Sequence, residues 1–511
     1  MAARGGGIGP IPLPAPQCAA HGNYRTVIRR ANMSAGWVVM AVAVIVLGCA
    51  PRIALAAGEP PAWPAALLRL KVAHDIAQQR GDAAAVTKAR DAAQRAKGLF
   101  AAGDAGSAEQ LVREAEAAAG IDPGGASMAG LPIYHPTPAM NDRMNRLRDD
   151  LDAAMRAGNR PAVARVVAQM RQALGDQAGL PEMAAFGLRA EPRPIDARGI
   201  ANHFLAAIDE NKAQLGLVAA GRPVGDNLVR FYAEIVAASC DVRGAVKAHR
   251  PDQLDHLDQL VVGGCFLMLA LQQQPGHMPF PDPKAKTDPT ARGRWVVSVD
   301  GDGGSQFDTG EAGAALLIAG VAHARPEWTA AGLRAADWAI AQPCVRNFTY
   351  NACSIHLLAE AYRATKNRKY LDAAVAKWEV GLAPGQLGGG RWVDARNART
   401  AYHVILLRAV TALAEVCPDD HAEVRDALRR SAAIGVKSLI DEFEQLGVTN
   451  TGHALPVLLR QRKLDPGCDP RLAATIERAA AAVLASCLRD GRPYLGASPA
   501  ALASAARVGG E

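Results

Sequence analysis

The strongest constraint in this chain is a spacing. Asp308, Asn351 and Asp394 lie 43 residues apart, each where an apolar run resumes after a long polar connection. Short turns at 323–327, 364–368 and 416–420 alternate with longer connections at 342–350, 381–397 and 446–451. A fixed period of this size marks a stacked supersecondary unit, and apolar residues at helical spacing make that unit a helical hairpin. Hairpins that turn tightly at one end and loosely at the other build an array with one plain rim and one rim that can carry a site.

Composition agrees with an all-α fold. Half the 511 residues are apolar, yet only 5% are aromatic, and Ala, Leu, Val and Arg dominate; that mixture favours helix over sheet. The formal charge of +7 points to nucleic acid only until it is located. Residues 1–56 contain Arg4, Arg25, Arg29, Arg30 and Arg52 and no Asp or Glu, so the remaining 52 Lys and Arg face 50 Asp and Glu. The body is nearly neutral, and no nucleic-acid partner is expected.

Gly36 to Ala50 is an apolar run behind Arg25, Arg29 and Arg30, and it ends near the small-x-small pattern Ala54-Leu55-Ala56. It is shorter than the roughly 20 residues of a membrane span, so residues 1–56 read as a signal peptide cleaved after Ala56. Cys49 leaves a lipid anchor open, and an uncleaved anchor is the third possibility. A periplasmic or secreted protein follows. Seven of the nine Cys lie beyond this segment, and export to an oxidising compartment permits disulfides. Cys344 and Cys353, bracketing one long connection, are the expected pair.

Residues 57–190 read as short amphipathic helices forming an accessory domain. Gly-Asp or Gly-Asn steps at Gly81-Asp82, Gly103-Asp104 and Gly158-Asn159 end one helix and cap the next. The Pro-rich stretch 188–198 marks the boundary. Eleven helices are then expected within residues 198–490, at 199–217, 228–240, 254–273, 309–323, 327–341, 351–365, 368–379, 397–416, 420–444, 451–463 and 470–488. Residues 491–511 form a disordered tail. Between the third and fourth of these helices, 274–307 is a long Pro- and Gly-rich stretch of the kind that is usually functional.

The segment Leu269–Asp282 and helices opening with a polar residue after an aromatic, as in Phe307-Asp308, Tyr350-Asn351 and Trp392-Val393-Asp394, resemble the α/α toroid superfamily of glycoside hydrolases and polysaccharide lyases. The resemblance spans about 198–490 and is architectural, without a motif tying it to one family. It implies a helical-hairpin toroid, preceded by the smaller helical domain, with a saccharide groove at the long-loop rim. Eleven helices is one short of six full hairpins, which leaves an incomplete toroid open.

Four groups could carry chemistry there. Asp300, Asp302, Asp308 and Glu311 crowd one Gly-rich stretch and could supply an acid/base pair. They also fall at positions 1, 3, 9 and 12 of a calcium loop, but Gly304 and Ser305 at positions 5 and 6 break the pattern. Calcium is therefore a weak expectation, with no other metal or cofactor. The plain alternative makes Asp308 or Thr309 a helix cap. Arg391, Trp392, Asp394 and Arg396 share a second Gly-rich loop, where Trp392 could stack on a sugar and an arginine could pair with a uronate carboxylate; alternatively the loop is merely solvated. Tyr350 with Asn351, and His453, are residue types a lyase uses as base and charge-neutralising partner. His356 and His403, on apolar helices, read as interior residues. Catalysis is thus expected from Asp300, Asp308, Tyr350, Asp394 and His453, and substrate binding from Asn351, Arg391, Trp392 and Arg396.

Two functions compete. One is a lyase or hydrolase acting on polysaccharide or oligosaccharide at the long-loop rim. The other is a non-catalytic envelope scaffold holding a protein or glycan, with the N-terminal helices as docking elements for an envelope protein.

Overall fold

A computed structural model describes residues 66–121, 138–181, 192–281, 295–296, 304–394, 398–446, 448, 451–486, 488–489 and 492–493, with short breaks inside several of these stretches. All belong to one compact unit, Gly58–Glu511. The expected signal peptide, and all but two residues of the expected C-terminal tail, lie outside the described residues.

The N-terminal part contains α1 (Ala83–Ala101) and α2 (Ala105–Ala118), packed on each other. They enclose a core of their own, made mostly of alanines with Leu70, Phe100 and Val112. The expected punctuation is present: Asp82 and Asp104 accept from Ala85 and Ser107 N–H at 3.0 Å, and Gly103 supplies φ +80°. A second hairpin, α3 (Pro138–Arg156) and α4 (Arg160–Leu174), is capped in the same way by Asn159. Its apolar stripe, with Leu151, Met155, Val163, Val166 and Met170, belongs to the large core formed with the later helices. Residues 66–121 thus enclose a small core of their own, while α3 and α4 join the larger one.

The main array comprises α5 (Ala197–Glu210), α6 (Lys212–Ala219), α7 (Val229–His249), α8 (Leu254–Leu271), α9 (Ser305–Ala322), α10 (Pro326–Ala341), α11 (Phe348–Thr365), α12 (Arg368–Gly381), α13 (Thr400–Val416), α14 (Ala422–Leu446), α15 (Thr451–Leu464) and α16 (Leu472–Ser486). α7, α9, α11, α13 and α15 each touch the next, forming an inner layer, while α8, α10, α12, α14 and α16 each pack on the inner helix that precedes them. The inner helices are apolar nearly all round, as burial on every side requires. Along α11 every residue from Phe348 to Tyr362 is buried. Glycines let the layers meet closely: a Cβ on Gly310 would lie 2.7 Å from the Cys353 backbone. After α16, strands β1 (Leu488–Arg489) and β2 (Arg492–Pro493) pair, and β2 touches α5. The end of the array thus meets its beginning, and the architecture is an α/α toroid.

Two of the longer connections meet at one end of the array. The Gln306 side chain at the start of α9 donates to Pro343 O at 3.0 Å, and Met278 N donates to Thr309 Oγ1 at 2.9 Å. Connections from 272–281 and 342–347 therefore gather at one end. At the other, Arg368 in one tight turn pairs with Asp420 in the next at 3.0 Å.

Candidate functional site

The N-terminal ends of the inner helices deliver a set of paired charges into the toroid. Asp308 and Glu311 lie one turn apart on α9, hence on one face. Arg230 of α7 grips Asp308 with two hydrogen bonds, Nε to Oδ1 at 3.0 Å and Nη2 to Oδ2 at 3.3 Å. Its guanidinium stacks 4.4 Å from the centre of the half-buried Phe307 ring, and Phe307 meets Tyr350 edge-to-face at 6.2 Å. Glu311 accepts from Arg408 of α13, and the Cys353 thiol of α11 donates to it at 3.3 Å. Complete burial pushes the Asp308 carboxyl above its ordinary range; Arg230 opposes this and the neighbouring Glu311 charge adds to it. The Cys353 thiol is driven well upward, first by burial and then by Glu311, so it stays protonated and donates.

Asp308 and Thr309 do not cap α9. The N-cap position is Gly304, Asp308 lies in the first turn facing Arg230, and Thr309 accepts from Met278. Both described carboxylates of the proposed calcium register are taken by arginines. Asp300, Asp302, Arg396 and the His453 side chain lie outside the described residues.

The other sequence candidates are drawn into the wall. Asn351 uses its whole amide to tie the loop end together: Nδ2 donates to Val345 O at 2.8 Å and Gly381 O at 3.1 Å, while Oδ1 accepts from Val345 N at 2.9 Å. Arg391 is 2% exposed, donates to Ala398 O at 3.1 Å, and pairs with Glu442. Trp392 donates to Leu382 O at 2.9 Å and packs against His403. The loop carrying them is no solvated excursion. Gly390, at φ +93°, lies so close to α14 that a Cβ would meet Ile434 O at 2.1 Å. Asp394 pairs with Arg148 of α3. His403 is fully buried, with Nε2 against Gly435 O at 3.1 Å, and burial holds its pKa well below the usual value.

The expected Cys344–Cys353 disulfide is absent: both are free thiols. Cys353 faces Glu311 of α9, whereas Cys344 lies against the Lys377 carbonyl of α12 at 3.7 Å. Their sequence bracket places them on different sides of the inner helix.

Sequence reasoning missed Arg230 and Arg408, which sit in helical runs far from the acids they hold. Their only signal is a charge on an otherwise apolar inner stripe.

Fold and site together define a helical-hairpin toroid whose loop-end interior is lined by arginine-held carboxylates. No family model and no curated protein matches the chain. Among solved structures it is similar to a GH76 alpha-mannanase of Bacteroides thetaiotaomicron, with TM-score 0.38 and 12% identity over 61% of this chain and 95% of that one. It is also similar to the catalytic domain of Clostridium thermocellum CelT, with TM-score 0.34 and 16% identity over 49% and 60%. Both likenesses are too distant to bear on the reaction.

Proposed function

We propose that this protein is a carbohydrate-active enzyme that hydrolyses glycosidic bonds at the loop-bearing end of the toroid. The reading rests on the Asp308–Glu311 pair. Two carboxylates one turn apart sit in different surroundings: Asp308 is sealed and pushed upward, and Glu311 is fixed by Arg408 and Cys353. Carboxyls whose environments diverge suit a proton donor working beside a carboxylate. Asp308 then protonates the leaving oxygen, and Glu311 stabilises or attacks the sugar carbon or activates water. Tyr350, beside Phe307 and near Arg230, supports elimination as the alternative route within the same class. Export to the periplasm or beyond, and an envelope partner for α1 and α2, belong to the same proposal.

A second reading has its own support. Asn351, Arg391, Trp392 and Asp394 are all consumed by internal contacts, as a non-catalytic scaffold would use them. Incubation of the purified protein with neutral and uronate-rich polysaccharides separates the readings. New reducing ends with saturated non-reducing ends indicate hydrolysis, ultraviolet-absorbing unsaturated non-reducing ends indicate elimination, and an unchanged panel indicates the scaffold.

A further inference from the structure

The loop end of the toroid is closed by part of the chain that lies far away in sequence. Arg148 on α3 pairs with Asp394, Asp149 pairs with Arg346, and Asp152 accepts from Arg346 N at 2.9 Å. On α4, Arg160 pairs with Glu379 at 3.0 Å. Leu174 at the end of α4, with Gln177, Gly179 and Leu180 just after it, lines a space of only about 10 Å³ shared with Arg391, Trp392 and Asp394. These contacts reach two successive long connections, 342–347 and 382–394. The ionic seam has exposed edges, with Asp149 68% and Arg160 56% exposed. Ion pairs of that kind are weak individually and screened by salt, whereas the apolar stripe of α3 and α4 holds the hairpin's inner side in the large core.

We propose that the α3–α4 hairpin, anchored by its apolar stripe, is a self-inhibiting cap over the working end of the toroid whose outer edge lifts when this ionic seam parts. The word inhibiting rests on the glycan-hydrolase reading above; the cap itself does not.

The test uses the exposed edges, so that no charge is buried. The double variant Asp149→Arg/Arg160→Glu sets like charges against Arg346 and Glu379. Adding Arg346→Glu and Glu379→Arg restores opposite charges. Amide hydrogen exchange should quicken about tenfold in residues 342–347 and 386–394 of the double variant, stay unchanged in α9, α11 and α13, and return to wild type in the quadruple variant. Glycan turnover should rise in the double variant and fall back in the quadruple one. Unchanged exchange in the two loops overturns the cap, as does faster exchange spreading through α9, α11 and α13, which would show that the seam holds the whole array and not a local edge. Local opening with turnover unchanged or lowered overturns inhibition. Local opening with no glycan degraded by any form supports the cap and overturns only the hydrolase reading.

Discussion

Arg230 and Asp308, 78 residues apart in sequence, meet as a two-pronged pair inside the toroid. The acid is fully buried while the arginine keeps a 26% exposed edge, so the arginine is what makes an ionised Asp308 tolerable there. Removing one member of such a pair is costlier than losing a cap. Arg230→Met should cost about 3 kcal/mol at neutral pH by denaturant titration, with the cost shrinking in acid as Asp308 takes up a proton.

The same pair fixes a sign for pH dependence. A carboxyl raised by folding binds its proton more tightly in the native state, so its contribution is full below 3.8, its ordinary value, and is lost as pH rises through the folded value. The wild type should lose stability relative to Asp308→Asn over that rise. Parallel curves would show that Asp308 is not raised.

Glu415 should behave oppositely. Burial pushes it upward, but Arg460, Lys463 and Arg363 prevail and hold it at about 2, below its ordinary 4.5. Its contribution is present above 4.5 and is lost as pH falls through about 2. Glu415→Gln should flatten the acid limb of the stability curve between those values.

Cys344 and Cys353 are buried thiols raised by that burial, and neither thiolate is accessible. A thiol reagent should leave both unmodified in the native protein and label both after denaturation without a reductant. If labelling of the denatured protein requires a reductant, a disulfide joins them.

The 43-residue spacing explains what was legible and what was not. Asp308 and Asn351 both occupy the fourth residue of an inner helix, so that part of the period is structural. The fourth residue of α13 is His403, not Asp394. The connection before α13 is longer, and its extra chain folds into the Gln386–Trp392 bridge pressed on α14. A spacing could announce the hairpins and sort their rims by loop length. It could not show that Arg391 and Trp392 turn inward, because that depends on Glu442 and Leu382 across the fold. Nor could it bring Arg230 to Asp308 or α3 to the rim, since those contacts span 78 to 246 residues of sequence.

Export predicts a mature N-terminus near Ala57, readable by N-terminal sequencing of protein recovered from its native host. Intact chain before Gly36 in that material would contradict cleavage.

The most direct measurement is the rate of saccharide release from the polysaccharide panel by wild type, Glu311→Gln and Asp308→Asn, with each fold checked by circular dichroism. The account predicts measurable release by the wild type and a loss of at least about 100-fold in each folded variant, the scale of general acid–base catalysis. Wild-type rates in a folded Glu311→Gln protein, or no release from any glycan by the wild type, would contradict it.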